Sequence, residues 1–284
     1  MNQSQNLPRF IIIGAMKAAT TSLYYYLSRH PEVNMSSKKE TDFFLERCFH
    51  QGLEHYQAYF ENNDKVKGEA STNYTKFPHF KGVPERIRSV IPEVKLIYIL
   101  RDPIERLSSE IHHAWVQGYE TRSLEQILGD FDNNNYVYIS KYYEQLSQYL
   151  KVFDEKQLLI LTTEQLRKDP ETAMQKTFRF IGVNPEFSSE EFHNKLHVSS
   201  QKTQKTGLGK MIDQMGWMQS VKNGIRTLLP DQAYSSLKGI ANRKVPKVVL
   251  ESNTVERLLN EFRPDVDKMR EFTGYSFSEW RYTY

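Results

Sequence analysis

The chain has 284 residues and a net charge of +3, from 38 Lys plus Arg against 35 Asp plus Glu, and 39% of it is hydrophobic. That length buries a sizeable core, and so small and evenly spread a charge carries no footprint for nucleic acid or a membrane surface. The single cysteine, Cys48, excludes an intrachain disulfide and a cysteine metal cluster and suits a reducing, cytoplasmic location; no apolar run nears the roughly 20 residues of a membrane span, and the opening MNQSQNLPRF is unlike a signal peptide.

Residues 9–31, RFIIIGAMKAATTSLYYYLSRHP, read as a buried strand, a tight turn and a helix over Thr20–Arg29 closed by His30-Pro31. Val33–Met35 is a short strand, Val66–Ser71 a second, and Pro84–Val90 a helix. Val94–Leu100 (VKLIYIL) is the clearest strand, followed by a helix over Pro103–Gln117 with proline in its first turn, where it is tolerated. A helix over Ser140–Phe153, a strand over Leu158–Thr163 and a helix over Pro170–Ile181 complete the series. The strands are near-continuous apolar runs, as expected of parallel strands covered on both faces. Their alternation with helices predicts an α/β fold: three layers, α/β/α, around a parallel sheet of about five strands.

Beyond about residue 185 the strand signals stop. Residues 198–210, VSSQKTQKTGLGK, read as a basic loop able to move. Helices over Ser252–Phe262 and Asp265–Phe272 make the C-terminal part helical. No repeat or linker divides the chain, so a single domain over 1–284 is expected.

Two segments carry chemistry. In GAMKAATTSL, a turn after the first strand precedes a helix whose first N–H groups lack partners and whose dipole favours an anion. Small Ala18 and Ala19 let a phosphate approach the backbone, Thr20, Thr21 and Ser22 offer hydroxyls, and Lys17 supplies a positive charge. The ATP-binding pattern G-x-x-x-x-G-K-[ST] is absent. The plain alternative is a capped helix beside a solvated lysine. In YILRDPIERLSSEIHHAW, Arg101 leaves the best strand and Ser109 lies about two helical turns on, a fork and a hydroxyl for a second phosphate. Here the alternative is that Asp102 caps the helix, Arg101 pairs with Glu105, and Ser109 is solvated.

Together, a strand followed by GxxKxxT[TS]xL and a later [IL]LRDPxERxxS resemble the PAPS-dependent sulfotransferases, above all the branch of the heparan sulfate enzymes and their bacterial relatives; PAPS is 3′-phosphoadenosine 5′-phosphosulfate. The likeness covers roughly residues 8–185. It implies a P-loop-like fold and transfer of a sulfuryl group from PAPS to a hydroxyl by in-line displacement, leaving adenosine 3′,5′-bisphosphate and requiring no metal. It assigns the 5′-phosphosulfate to Lys17, Ala18, Ala19, Thr20, Thr21 and Ser22, and the 3′-phosphate to Arg101 and Ser109. Lys17 would also steady the leaving phosphate. In SSKKETDFF the heparan branch carries KExxFF, whose Glu is the general base, so Glu40 takes that role here. Lys202, in the basic loop, is an expected phosphate contact.

Around the acceptor, Asp42, Glu69, Tyr74 and His112 are candidate contacts. The heparan-type E-K-[ST] reads Glu69-Ala70-Ser71 here, so a lysine near the acceptor is missing and a polyanionic acceptor is not implied. The acceptor class remains a glycan, glycolipid or small molecule bearing a hydroxyl. The other readings of the fold are a nucleotide kinase-like phosphotransferase and a non-catalytic nucleotide- or glycan-binding module.

Overall fold

The computed structural model describes residues 6–193, 203–205, 242–245 and 247–284. They fall in two compact units, one of Met1–Leu107, Asp130–Leu196 and Leu250–Tyr284, the other of Ser108–Gly129 and His197–Val249.

The first unit is built on five parallel strands, β1 (Phe10–Gly14), β2 (Val33–Met35), β3 (Val66–Ala70), β4 (Lys95–Leu100) and β5 (Leu158–Thr162), in the order β2-β3-β1-β4-β5. Alternate residues serve the two faces. Phe10, Ile12, Ile97, Ile99, Leu159 and Leu161 join one core with Leu23, Leu27, Met174 and Phe178 from the helices Thr20–Leu27 and Pro170–Ile181. The intervening Ile11, Ile13, Leu96, Tyr98 and Leu100 are also fully buried, and Tyr98 meets Tyr142 of the helix Tyr142–Leu150 edge to face at 5.9 Å. Both faces are therefore covered, which is what the unbroken apolar runs require. The expected doubly wound parallel sheet is present.

The last helix departs from expectation. Ser252–Thr273 is one continuous helix of 22 residues with Pro264 inside it, where two helices were predicted. Its buried residues Leu258, Phe262, Asp265, Val266 and Met269 form a single stripe that runs past the proline. Burying that stripe outweighs the hydrogen bond and the clash that an interior proline costs, about 3 kcal/mol. Asp265 also accepts the N–H groups of Tyr143 and Glu144 at 3.0 and 2.9 Å, capping the first turn of the helix Tyr142–Leu150. Proline propensity is local, and tertiary packing overrides it.

In the second unit, Ser123 caps the helix Leu124–Leu128 with a reciprocal bond to Gln126, and Trp115 Nε1 donates to the Arg122 carbonyl at 3.0 Å. Strands do not stop at residue 185. Thr203–Lys205 pairs antiparallel with Asn242–Lys244, so part of the 198–210 segment is strand; the rest of it, Lys202 included, lies outside the described residues. Such a pair is too short to leave an apolar signature, since its ladder is made by backbone. The helix Pro103–Gln117 begins in the first unit and continues in the second.

Candidate active site

β1 and β4 are neighbours whose onward connections run to opposite sides of the sheet, the place where open parallel sheets take ligands. Beyond the carboxyl end of β1, Lys17 (φ 70°) and Ala19 (φ 64°) both adopt the left-handed conformation. Each such residue costs about 1–2 kcal/mol, so the surrounding structure must hold the turn. Ala15 N–H donates to the Ile99 carbonyl at 2.8 Å, Ala18 N–H donates to that of Ala15 at 3.1 Å, and Ala18 is fully buried. Gly14 (φ +157°) has no alternative residue, because a Cβ there would lie 2.0 Å from Thr75 Oγ1. Ala19 is the N-cap of the helix Thr20–Leu27 and no side chain caps it. Its first-turn amides and positive dipole end are presented to the space beyond β1. Among the described residues the hydroxyls of Thr20, Thr21 and Ser22 make no hydrogen bond. The cradle suits a compact anion.

At the end of β4, the Arg101 guanidinium donates to Glu105 Oε2 at 2.8 and 3.3 Å, and its Nη1 reaches the Lys17 carbonyl at 3.5 Å, the long limit of a hydrogen bond. The two sequence segments thus meet in space. Both plain alternatives are also realised: Arg101 pairs with Glu105, and Asp102 Oδ1 accepts Glu105 N–H at 3.0 Å as a helix cap. Asp102 is fully buried, and its carboxylate accepts Tyr282 N–H at 2.9 Å and the Tyr284 hydroxyl at 3.0 Å. Burial holds its carboxyl above the usual carboxylate range, against those hydrogen bonds. Arg167, after β5, feels the like charge of Arg101 and has its own pKa lowered, by burial first and by that charge second. Nothing in LRKDP marks this residue beforehand, because its proximity to Arg101 comes from the pairing of β4 with β5.

Glu40 lies beyond β3, its N–H donating to the Ala70 carbonyl at 2.8 Å. Oε2 accepts the Thr72 N–H at 2.7 Å and the Thr72 hydroxyl at 3.1 Å, and Oε1 is bound by the Lys39 ammonium. Its side chain keeps 34% of its surface accessible, enough to receive a proton from outside. Thr72 escapes sequence reasoning; it becomes a partner because β3 ends two residues before it. Asp42 is held by both Asn73 Nδ2 contacts, at 3.1 and 2.9 Å, and by Arg47 at 3.5 Å, with its carboxyl raised by burial.

Glu69 and Tyr74, expected at the acceptor, face inward. Glu69 is fully buried and Tyr74 is 2% exposed. Burial pushes the Glu69 carboxyl up to about 7, while the hydroxyls of Thr41, Tyr74 and Tyr56 pull the other way. The folded state therefore holds this proton more tightly than an unfolded chain, whose Glu titrates near 4.5. The sign follows: the contribution to stability is full below about 4.5 and is lost as the pH rises through about 7, by about 3 kcal/mol. Urea unfolding at about pH 5 and about pH 7.5 is expected to show a larger drop for the parent than for Glu69→Gln. Equal drops would refute it. Ser109 and His112 sit partly buried on the helix Pro103–Gln117, in the second unit.

The site thus consists of a parallel α/β/α sheet with an anion cradle after β1 and an arginine beside it after β4. The sequence profile described as "Sulfotransferase domain" matches residues 7–227, and the chain belongs to this family. It is 30% identical over 212 residues to bifunctional heparan sulfate N-deacetylase/N-sulfotransferase 4 of Mus musculus, covering 66% of this chain and 23% of that protein. It is 38% identical over 126 residues to the membrane-associated sulfotransferase kil1 of Dictyostelium discoideum, covering 42% of this chain and 26% of that one. The chain thus spans about a quarter of the length of these relatives. A sulfotransferase from Alicyclobacillus acidocaldarius shares the fold over 97% of this chain and 99% of its own, with a TM-score of 0.70 and 22% identity.

Proposed function

We propose that the chain transfers a sulfuryl group from PAPS to a hydroxyl of a carbohydrate or small-molecule acceptor. The observation that carries the reading is the approach of the Arg101 guanidinium to the Lys17 turn across the β1–β4 crevice, which sets a cationic fork beside the anion cradle. The amides of the cradle, with Thr20, Thr21 and Ser22, would take the phosphosulfate, and Arg101 and Ser109 the 3′-phosphate. Lys202 belongs to the same proposal as a further phosphate contact, and Asp42 and His112 as acceptor contacts.

In the reaction the acceptor oxygen attacks sulfur in line with the departing phosphate oxygen. The S–O bond to phosphate breaks as the new S–O bond forms, and Glu40 takes the acceptor proton. Lys17 offsets charge growing on the leaving phosphate. The products are a sulfate ester and adenosine 3′,5′-bisphosphate. Calorimetric titration tests the donor side: the bisphosphate is expected to bind and ATP with Mg²⁺ to bind far more weakly. ATP binding with no response to the bisphosphate would overturn the reading in favour of a phosphotransferase. A cytoplasmic location, suggested by the lone Cys48, completes the proposal.

A further inference from the structure

We infer that Glu69 is a positioning residue for Glu40, acting through Thr41 to hold the turn that carries the base. The inference rests on the reading of Glu40 as base.

The turn needs holding. Glu40 (φ 60°) and Asp42 (φ 56°) both occupy the left-handed region, which β-carbon sterics disfavour for most residues, glutamate more than aspartate. Thr41, between them, is buried and points the other way from Glu40. Its hydroxyl donates to Glu69 Oε2. The Ser71 hydroxyl donates to the same oxygen at 3.4 Å and accepts Asp42 N–H at 3.1 Å. The Tyr74 hydroxyl, 3.4 Å from Thr41 Oγ1, accepts Phe44 N–H at 3.2 Å. Residues 41, 42 and 44 are thus fastened to a single polar cluster with the Glu69 carboxylate at its centre. Glu40 is the member left facing outward, where Thr72 receives its carboxylate.

Core packing does not require a carboxylate here. Glu69 is fully buried, and burial and its acidic neighbour Asp42 both raise its pKa. A buried acid is a cost that an apolar side chain of similar volume avoids. What Glu69 supplies is a side-chain oxygen that accepts from Thr41, and a hydrogen bond of that kind fixes direction as well as distance. Misplacing a reacting group by about 1 Å costs on the order of 10²-fold, so a loosened turn lowers turnover without touching the donor cradle.

The test compares Thr41→Val, Thr41→Ser, Glu69→Leu and Glu69→Gln with the parent and with Glu40→Gln, in full-length protein. Active fraction is set by the stoichiometry of adenosine 3′,5′-bisphosphate binding. Thr41→Val and Glu69→Leu are expected to lower kcat by at least about 10-fold, with the KM for PAPS and the bisphosphate Kd within about two-fold of parent. Thr41→Ser and Glu69→Gln, which keep a donor and an acceptor, are expected to recover most of kcat. If Glu69→Leu fails to fold, the Thr41 pair decides alone. A Thr41→Val enzyme with parental kcat, or one whose loss appears equally in KM and Kd, overturns the inference. An active Glu40→Gln enzyme would instead overturn the base itself, so the two failures are distinguishable.

Discussion

Glu40→Gln is expected to lower turnover by about 10²–10⁴-fold while leaving bisphosphate affinity near parental, because it removes one proton acceptor and little else. The amide keeps the side-chain volume, and its oxygen still accepts the Thr72 N–H and hydroxyl that now hold Oε2. It loses the charge that engages Lys39 and the basicity that would take the acceptor proton. The residue sits beyond β3, separate from the amides of the turn after β1, so the donor holds are not altered. Initial rates with labelled PAPS, beside calorimetry on the same preparation, check both halves. A variant that turns over within about three-fold of parent would remove Glu40 from the chemistry.

Arg101→Ala is expected to weaken bisphosphate binding by about 10- to 150-fold, the equivalent of the 1.5–3 kcal/mol of a hydrogen bond to a charged group. The guanidinium is 18% accessible and already engaged by Glu105, so an incoming phosphate exchanges partners with a carboxylate instead of meeting a bare cation. Glu105→Gln is therefore the informative companion. With one competitor weakened, it is expected to bind at least as tightly as the parent. Loss of affinity in that variant to the same degree as in Arg101→Ala would mean that the ion pair is a strut of the helix and that Arg101 does not hold phosphate.

Much of this arrangement was legible because the sheet announces itself. Three of the five strands, β1, β4 and β5, are apolar runs that burial on both faces explains; β1 ends in a turn and β4 shortly before a proline that opens the next helix. The Lys17 turn and Arg101 could be placed at strand ends on that basis alone. The plain alternatives for Arg101 and Asp102 were also legible, and both are present alongside the approach to Lys17. What stayed hidden depends on residues far apart in sequence. Glu69 reads as a polar residue near an active site, and only its burial beneath Thr41 and Tyr74 turns it inward. The left-handed turn at Glu40 and Asp42 has no glycine to signal it. Pro264 reads as a helix boundary, until a buried stripe continues across it.

Two buried carboxylates outside the proposed chemistry, Asp102 and Asp265, bear on how the first unit comes together. Asp265 caps a helix 121 and 122 residues earlier in the chain, and the Asp102 carboxylate takes Tyr282 and Tyr284, 180 and 182 residues later. Contacts of that separation must close very long loops before they return any free energy, which places them late and slows folding. During synthesis the five strands can all emerge while the start of the helix Tyr142–Leu150 and the turn beyond β4 still lack these partners. The turn that carries Arg101 is therefore fastened in part by residues 282 and 284, made long after β4 itself.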